Sequence, residues 1–294
     1  MSYDSILSRD SFLLSVELRF FWAIAFAYGI SLILHIFHVL TRGAFSGKAA
    51  YTVLWAAGVS HAALITFRAF EAGRVPIQTL YESLSWFACS AVLTWLFVSR
   101  KWKGVYLPGA IVAALAMSAS LYALLERSPA IGPLPPQFRS WWFEWHLMLT
   151  LFSYAFFAVS AAIEISWLAI KRSVLYGRAA GYGLTAGMMD GFHDASMKLV
   201  LFGFPLLTFG LLSGAAWANA AWGKYWIWDP FEAWSLVTWF VFAIYLHAKA
   251  VPTLKGLPAS FFNLLGFACM LMTFPGANWL ASLLGIPGLH VYAV

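Results

Sequence analysis

Positions 217 to 234 read Trp217-Ala-Asn-Ala-Ala-Trp222-Gly223-Lys224-Tyr225-Trp226-Ile227-Trp228-Asp229-Pro230-Phe231-Glu232-Ala233-Trp234. Five of the chain's sixteen tryptophans stand in this one stretch. A shelf of aromatic rings suits a large flat π-ligand, through stacking and edge contacts. Gly223 allows close backbone approach, and Asp229-Pro230 sets a turn with rings on every side of it. The plain alternative is an interfacial belt, because Trp and Tyr favour the headgroup level of a bilayer. A belt asks for one or two aromatics at each helix end and has no use for the glycine or the turn. The ligand platform is the better reading.

Seven histidines supply the other chemistry. His146 follows Trp141-Trp142-Phe143-Glu144-Trp145, and His290 sits in Ile286-Pro287-Gly288-Leu289-His290-Val291-Tyr292. Neutral imidazoles ligate iron, and haem iron can take one on each axial side. Bis-histidine ligation beside an aromatic shelf is a coherent haem site, although histidines at helix ends are ordinary and spacing alone does not select it. His247 lies thirteen residues after Trp234, about 20 Å deeper along a helix, on the face of Phe240 and Ala243. Intramembrane ionisable groups are rare and usually functional. His35, His38, His61 and Glu164 also fall within apolar runs, where helix packing explains them better than ligation. His193, between Asp190 and Asp194, reads as a solvated loop residue. Glu82 enters the membrane near Arg68 and Arg74, and either arginine could pair with it or reach a ligand carboxylate. Pro129–Arg139 is a stiff turn ahead of His146.

The elements that position these residues follow from composition. The chain has 294 residues, 62% of them hydrophobic and 10% charged, with a mean hydropathy of +0.77. A soluble domain carries about 25% charged residues, so these few cannot cover a water-facing surface. A bilayer core takes roughly 20 apolar residues per helix. Eight such runs occur, near 20–40, 51–70, 80–99, 105–125, 146–170, 198–216, 233–251 and 260–284. The expected fold is an all-α polytopic membrane bundle of about eight transmembrane helices, with 1–294 as a single integral domain. Connections are short apart from 126–145 and 171–197. Ser11–Leu18 is too short for a signal h-region and suits the interface.

Cytoplasmic loops collect Lys and Arg. With both termini outside, the inner loops hold Arg42, Lys48, Arg100, Lys101, Lys103, Lys171, Arg172, Arg178, Lys198, Lys249 and Lys255 against only Asp190 and Asp194. That topology puts the Trp stretch, His146 and His290 on the outer side. The net charge of +6 is thus an orientation signal, not a nucleic-acid footprint. Cys89 and Cys269 form no CxxC, CxxCH or zinc spacing, which excludes a thiol redox site or a covalent haem on this chain. Phosphate-loop, GxGxxG and metal-hydrolase motifs do not occur.

The stretch Trp222-Gly-Lys-Tyr-Trp-Ile-Trp-Asp-Pro-Phe-Glu-Ala-Trp resembles the tryptophan-rich WWD signature of haem-handling membrane proteins. The chain is similar to the CcsA/ResC type of cytochrome c biogenesis protein, the system II kind, with the CcmC type of system I as a relative. Pro76 through Ser83 matches a "P…LYES" segment of that family, and His146, Tyr245-Leu246-His247 and Gly288-Leu289-His290-Val291-Tyr292 match others. The family carries Lys where this chain has Phe231, which removes a cation beside Glu232; Lys224 is the nearest candidate to stand in.

The resemblance implies haem transport to the outer face and attachment to the CxxCH thiols of apocytochrome c, in a synthase complex with a CcsB-type partner. It implies haem b as the cargo, and thiol-reducing proteins as further partners. His146 and His290 would be the outer axial ligands of the haem iron, and His247 a ligand within the membrane. The haem-binding loop would comprise Trp217, Trp222, Gly223, Tyr225, Trp226, Trp228, Asp229, Pro230 and Trp234. The location implied is a bacterial inner or plasma membrane, or a thylakoid-type one, with the loop on the periplasmic or outer side. Three rivals stand beside this: a CcmC-like chaperone that delivers haem without attaching it, a diheme electron-transfer subunit using His247 with His35 or His38, and a structural assembly subunit that holds no haem.

Overall fold

A computed structural model describes residues 3–41, 43–101, 106–126, 129–131, 135–175, 186–251, 254, 256–276 and 283. Among the described residues the regular structure is helical, in the order α1 (Tyr3–Thr41), α2 (Ala44–Ala72), α3 (Leu80–Val98), α4 (Leu107–Glu126), α5 (Trp141–Leu175), α6 (Ala186–Trp222), α7 (Pro230–Ala250) and α8 (Leu257–Leu271). Helices α1 to α7 each contain a stretch long and apolar enough to cross a bilayer. This is a polytopic membrane bundle. Helix α8 has 15 residues and runs on into a π-helical turn, Met272–Gly276.

The helices overrun the apolar runs that announce them. Ser11–Leu18 is continuous with α1, whose apolar stretch begins at Ser11. The expected connection at 171–197 is largely helix, since α5 ends at Leu175 and α6 starts at Ala186, and that at 126–145 loses its last residues to α5, which starts at Trp141. Apolar periodicity stops at the edge of the hydrocarbon. Backbone hydrogen bonding does not.

The described helices gather into two compact units, α1–α4 before Phe138 and α5–α8 from Arg139 onward. Within the first, α1 packs on α2 and α4, and α3 packs on α4 and α2. Its polar centre is a closed cluster of two acids and two arginines. Arg68 donates from Nη1 to both carboxylate oxygens of Glu17, at 2.9 and 2.8 Å, and from Nε to Glu82 at 3.1 Å. Its Nη2 donates to the carbonyl of Pro129 at 3.0 Å. Arg74 donates twice to Glu82, at 2.9 and 3.1 Å, and once to the Gln78 side-chain oxygen. Glu82 also takes the backbone N–H of Thr79, whose hydroxyl takes that of Glu82, so the acid is half of a capping box on α3. Arg68 is used inside the cluster at Nε and both terminal nitrogens and Arg74 is bonded twice to Glu82, which is the arrangement of a structural ion pair.

In the second unit α6 lies closely against α5. A Cβ on Gly203 would come within 2.8 Å of Phe157, one on Gly210 within 2.7 Å of Thr150, and one on Gly214 within 2.6 Å of His146 Nδ1. Small residues at such spacing let helix backbones approach where no hydrophobic force operates between them. Gly266 of α8 gives the same room to Phe242 of α7, which stacks on Phe157 at 3.8 Å. Polar side chains join α5, α6 and α8: Asn263 donates to Ser160 and Ser196 at 2.8 and 3.2 Å, and Ser260 donates to the buried Glu164 at 2.8 Å.

Removing one partner of a buried ion pair strands the other charge. E82A is therefore expected to lose about 3–5 kcal/mol of stability, read as a fall in thermal midpoint in detergent micelles. T79A, which removes only the cap hydroxyl, should lose about 1 kcal/mol.

Candidate functional site

Trp217 and Trp222 are not loop residues. They stand on the last turns of α6, which ends at Trp222, so the connecting loop proper is 223–229. Trp217 is buried (1% exposed). It meets Trp222 edge to face at 4.8 Å and Phe143 at 4.6 Å. The ring of His146 lies nearly parallel to it, at 6.1 Å and 15°.

His146 is half-buried in the second turn of α5. Its Nδ1 is 2.8 Å from the carbonyl oxygen of Gly210. A carbonyl can only accept, so Nδ1 carries the hydrogen and the lone pair of the ring sits on Nε2. Metal-ligating histidines are usually held in this way, with the second ring nitrogen donating to a carbonyl or carboxylate. The bond needs the close approach of α6, and Gly214 beside it leaves the space the ring fills. Thr150 donates its hydroxyl to the carbonyl of His146 at 2.6 Å.

The loop is pinned at both ends. Gly223 adopts φ 74°, a left-handed conformation that closes α6, and its N–H reaches the carbonyl of Asn219 at 2.9 Å. Asp229 caps α7 by accepting the N–H of Glu232 at 2.8 Å, and Pro230 takes the first helical position, where a missing N–H costs nothing. Trp228 also has a positive φ, 61°, which bulky residues rarely adopt. One oxygen of Glu232 accepts the N–H groups of both Ile227 and Trp228, at 2.7 Å each. Trp226 and Trp228 meet edge to face at 5.7 Å. Tyr225 and Trp228 are exposed, at 63% and 70%. The indole N–H of Trp226 is buried and has no acceptor among the described residues. Trp234, half-buried, lies in the second turn of α7, and Lys224 is exposed.

His247 is exposed, near the opposite end of α7 from the loop. Its Nδ1 is 2.7 Å from the carbonyl of Ala243, which again puts the lone pair on Nε2. It opens on an apolar groove of about 530 Å³ lined by Trp239, Phe240, Ala243, Ile244, Val251 and Phe262, among others. The opposite face of α7 carries Tyr245 and Lys249, both buried. Tyr245 lies 3.5 Å from Ser196, and Lys249 donates to the carbonyl of His193 at 3.3 Å.

The other histidines that the structure describes are tied into local and interhelical contacts. His61 uses both ring nitrogens, one with Tyr28 and one with Ser85, at 2.9 Å each. His35 is buried, bonded through Nδ1 to the carbonyl of Ser31 at 2.8 Å, with Nε2 against Gly109. His38 bonds the carbonyl of Gly43 at 2.9 Å and lies against Tyr106. His193 is not a solvated loop residue. It is half-buried in α6, stacked on Trp167 at 4.9 Å, with Nδ1 3.0 Å from Glu164. Its partner is 29 residues away, which is why the flanking aspartates misled. His290 lies outside the described residues. Two features escaped the sequence reading, Gly214 and the grip of Glu232. Asp229-x-x-Glu232 has capping-box spacing, and that was the available signal.

Residues 77–284 match the family model described as Cytochrome C assembly protein. Curated relatives include cytochrome c biogenesis proteins CcsA of Guillardia theta, 32% identical over 76% of this chain and 79% of the relative, and of Synechococcus sp. (strain CC9902), 33% identical over 78% and 82%. A relative of the same name from Gloeobacter violaceus is 31% identical over 78% and 81%. Among solved structures, a cytochrome c haem lyase CcmF superposes with a TM-score of 0.67 at 17% identity, over 90% of this chain. The chain spans 46% of that protein's length, and the likeness is one of fold.

Gly214 and Gly223 separate close approach from backbone strain. G214A drives a methyl group against the His146 ring and should cost about 1–3 kcal/mol by overpacking. G223A has nothing within 4 Å and should cost only the left-handed strain, about 1–2 kcal/mol. Thermal unfolding of the two variants checks both.

Proposed function

The chain belongs to the cytochrome c assembly protein family, as a CcsA-type cytochrome c biogenesis protein, and from that premise we propose that it carries haem b to the outer face and holds it for attachment to apocytochrome c. It would do so as one subunit of a synthase in a bacterial plasma or inner membrane, or a thylakoid-type one, with a CcsB-type membrane protein as its partner. Its role in cytochrome c biogenesis follows from the family; the ligands, the route and the partner are our reading.

The observation that carries this reading is His146. Its Nδ1–H is fixed on the Gly210 carbonyl, its ring lies parallel to Trp217, and its lone pair is on Nε2. A neutral imidazole in that state is an axial ligand for haem iron. His290 is the second outer ligand by resemblance. The Trp loop offers the rings of Trp226 and Trp228 to a porphyrin face or edge, and the buried Trp226 N–H is a donor suited to a haem carboxylate. His247, held by the same kind of carbonyl bond at the other end of α7, supports a second site within the membrane, open on an apolar groove. The positive-inside pattern favours the Trp loop on the outer side.

Attachment adds each cysteine S–H across a haem vinyl group. One C–S and one C–H bond form, the S–H bond and the vinyl π bond are lost, and no electrons leave the pair. Nothing in this addition demands an acid–base pair from the chain. The chain contributes by holding the reactants in register, and correct positioning alone can remove much of a barrier.

Co-expression with a CcsB-type partner and an apocytochrome c tests the reading through the haem absorbance of the purified complex and the yield of holocytochrome. H146A should lose most of the outer-site absorbance and of the holocytochrome. H247A should reduce haem supply to the outer site. Wild-type levels of both in H146A and H247A would sink the ligand assignment. Haem bound without holocytochrome, even with the partner present, would favour the CcmC-like chaperone.

A further inference from the structure

The Trp loop has an unusual support. Between the end of α6 and the start of α7 the backbone passes through two left-handed residues, Gly223 and Trp228. Glycine adopts that conformation freely, whereas a tryptophan does so only when its surroundings enforce it. The enforcing group is the carboxylate of Glu232. Glu232 is 7% exposed, and a single carboxylate oxygen, Oε2, accepts the N–H of Ile227 and of Trp228 at 2.7 Å each. Its own backbone N–H is bonded to Asp229, which roots it in the first turn of α7. A carboxylate at a helix N-terminus is further favoured by the helix dipole.

We propose that Glu232 is the positioning residue of the Trp loop: its carboxylate clamps the Ile227 and Trp228 amides, holds Trp228 in the left-handed conformation, and so fixes the edge-to-face pair of Trp226 and Trp228 that faces the cargo. Glu232 does not touch haem. Its charge is not the operative property; the acceptor oxygen is. Because one oxygen takes both bonds, an amide oxygen in the same place can take them too, and the family's neighbouring cation, absent here at Phe231, is not required for the clamp. The clamp is a property of this chain alone, while its consequence for haem rests on the function proposed above.

The test uses the whole chain with its partner in nanodiscs and three variants, E232A, E232Q and T238A. Amide hydrogen exchange at Ile227 and Trp228 reads the clamp with no reference to haem. E232A should speed exchange at both amides by at least about tenfold, as expected for loss of charge-assisted hydrogen bonds. E232Q should stay within about threefold of wild type, since a neutral acceptor makes a weaker version of the same bonds. The haem absorbance should follow the same order, with E232A blue-shifted or weakened and E232Q near wild type. T238A, which removes a hydroxyl one to two turns along α7 that bonds Trp234 and Thr273, reports general loss of stability. It should lower the thermal midpoint without moving the haem spectrum.

Unchanged exchange in E232A overturns the clamp. So does an E232Q spectrum as damaged as that of E232A with its amides still protected, because the charge would then be acting on something other than the loop. A chain that binds no haem in any form removes the proposed cargo, and the exchange arm still decides whether Glu232 holds the loop.

Discussion

A polar group inside a bilayer has no water to turn to, and each one left without a partner costs several kcal/mol. The first consequence is the helical backbone. The second is that every ionisable side chain in the described core is bound into something. Arg68 is held by two carboxylates and a backbone carbonyl, and Glu82 by two arginines and the N-terminus of α3. Glu164 accepts the hydroxyl of Ser260 and has Nδ1 of His193 3.0 Å from its other oxygen. These groups look like candidate chemistry in one dimension, and in three they hold helices together. Charge inside the membrane therefore discriminates function from structure poorly in this protein. The hydrogen-bond state of each ring nitrogen narrows the candidates further: it removes His61 and leaves His35, His38, His146 and His247, each held by a backbone carbonyl.

The histidines show how. An imidazole has one N–H and one lone pair when neutral, and the partner of the first decides where the second points. His61 has both nitrogens consumed between Tyr28 and Ser85, and it can do nothing else. His146 and His247 each give their N–H to a backbone carbonyl of fixed position, one across the α5–α6 contact and one within α7. The requirement that satisfies the N–H thus also orients the lone pair. For His146 the orientation depends on helix packing, because the Gly210 carbonyl is within reach only where Gly210 and Gly214 let α6 lie against α5.

The sequence disclosed some of this and hid the rest for physical reasons. Composition and the spacing of apolar runs gave the membrane bundle, because hydrocarbon thickness dictates run length. The Trp217–Trp234 stretch was legible because its rings, glycine and Asp-Pro turn are contiguous. The ends of α5 and α6 were hidden, since a helix that leaves the hydrocarbon loses its apolar period but keeps its hydrogen bonds. The partnership of His193 with Glu164 was hidden because it is tertiary, and the two aspartates flanking His193 gave a false local context. Glu232 was half visible: its capping spacing after Asp229 was in the sequence, but that its carboxylate reaches back over the loop to the amides of Ile227 and Trp228 is a fact of the fold.

The choice of carbonyls over carboxylates as partners for His146 and His247 bears on what kind of site this is. A carboxylate hydrogen-bonded to a ligating imidazole raises its basicity and tightens its hold on the metal. A carbonyl gives the same orientation with less donor strength. In this chain the histidine beside a carboxylate is His193, half-buried against Trp167 with its Nδ1 turned to Glu164, while His146 and His247 are turned by carbonyls. A resident haem would be served by the stronger arrangement. A haem in transit must be released, and on the proposed route it must exchange at least one of its histidines for that of the apocytochrome. Oriented but weakly basic ligands would lower the cost of that exchange, while on the same proposal the aromatic loop would supply affinity that does not depend on the iron. On the function proposed above, rings would serve retention and carbonyl-held imidazoles reversible ligation, a division of labour suited to a carrier.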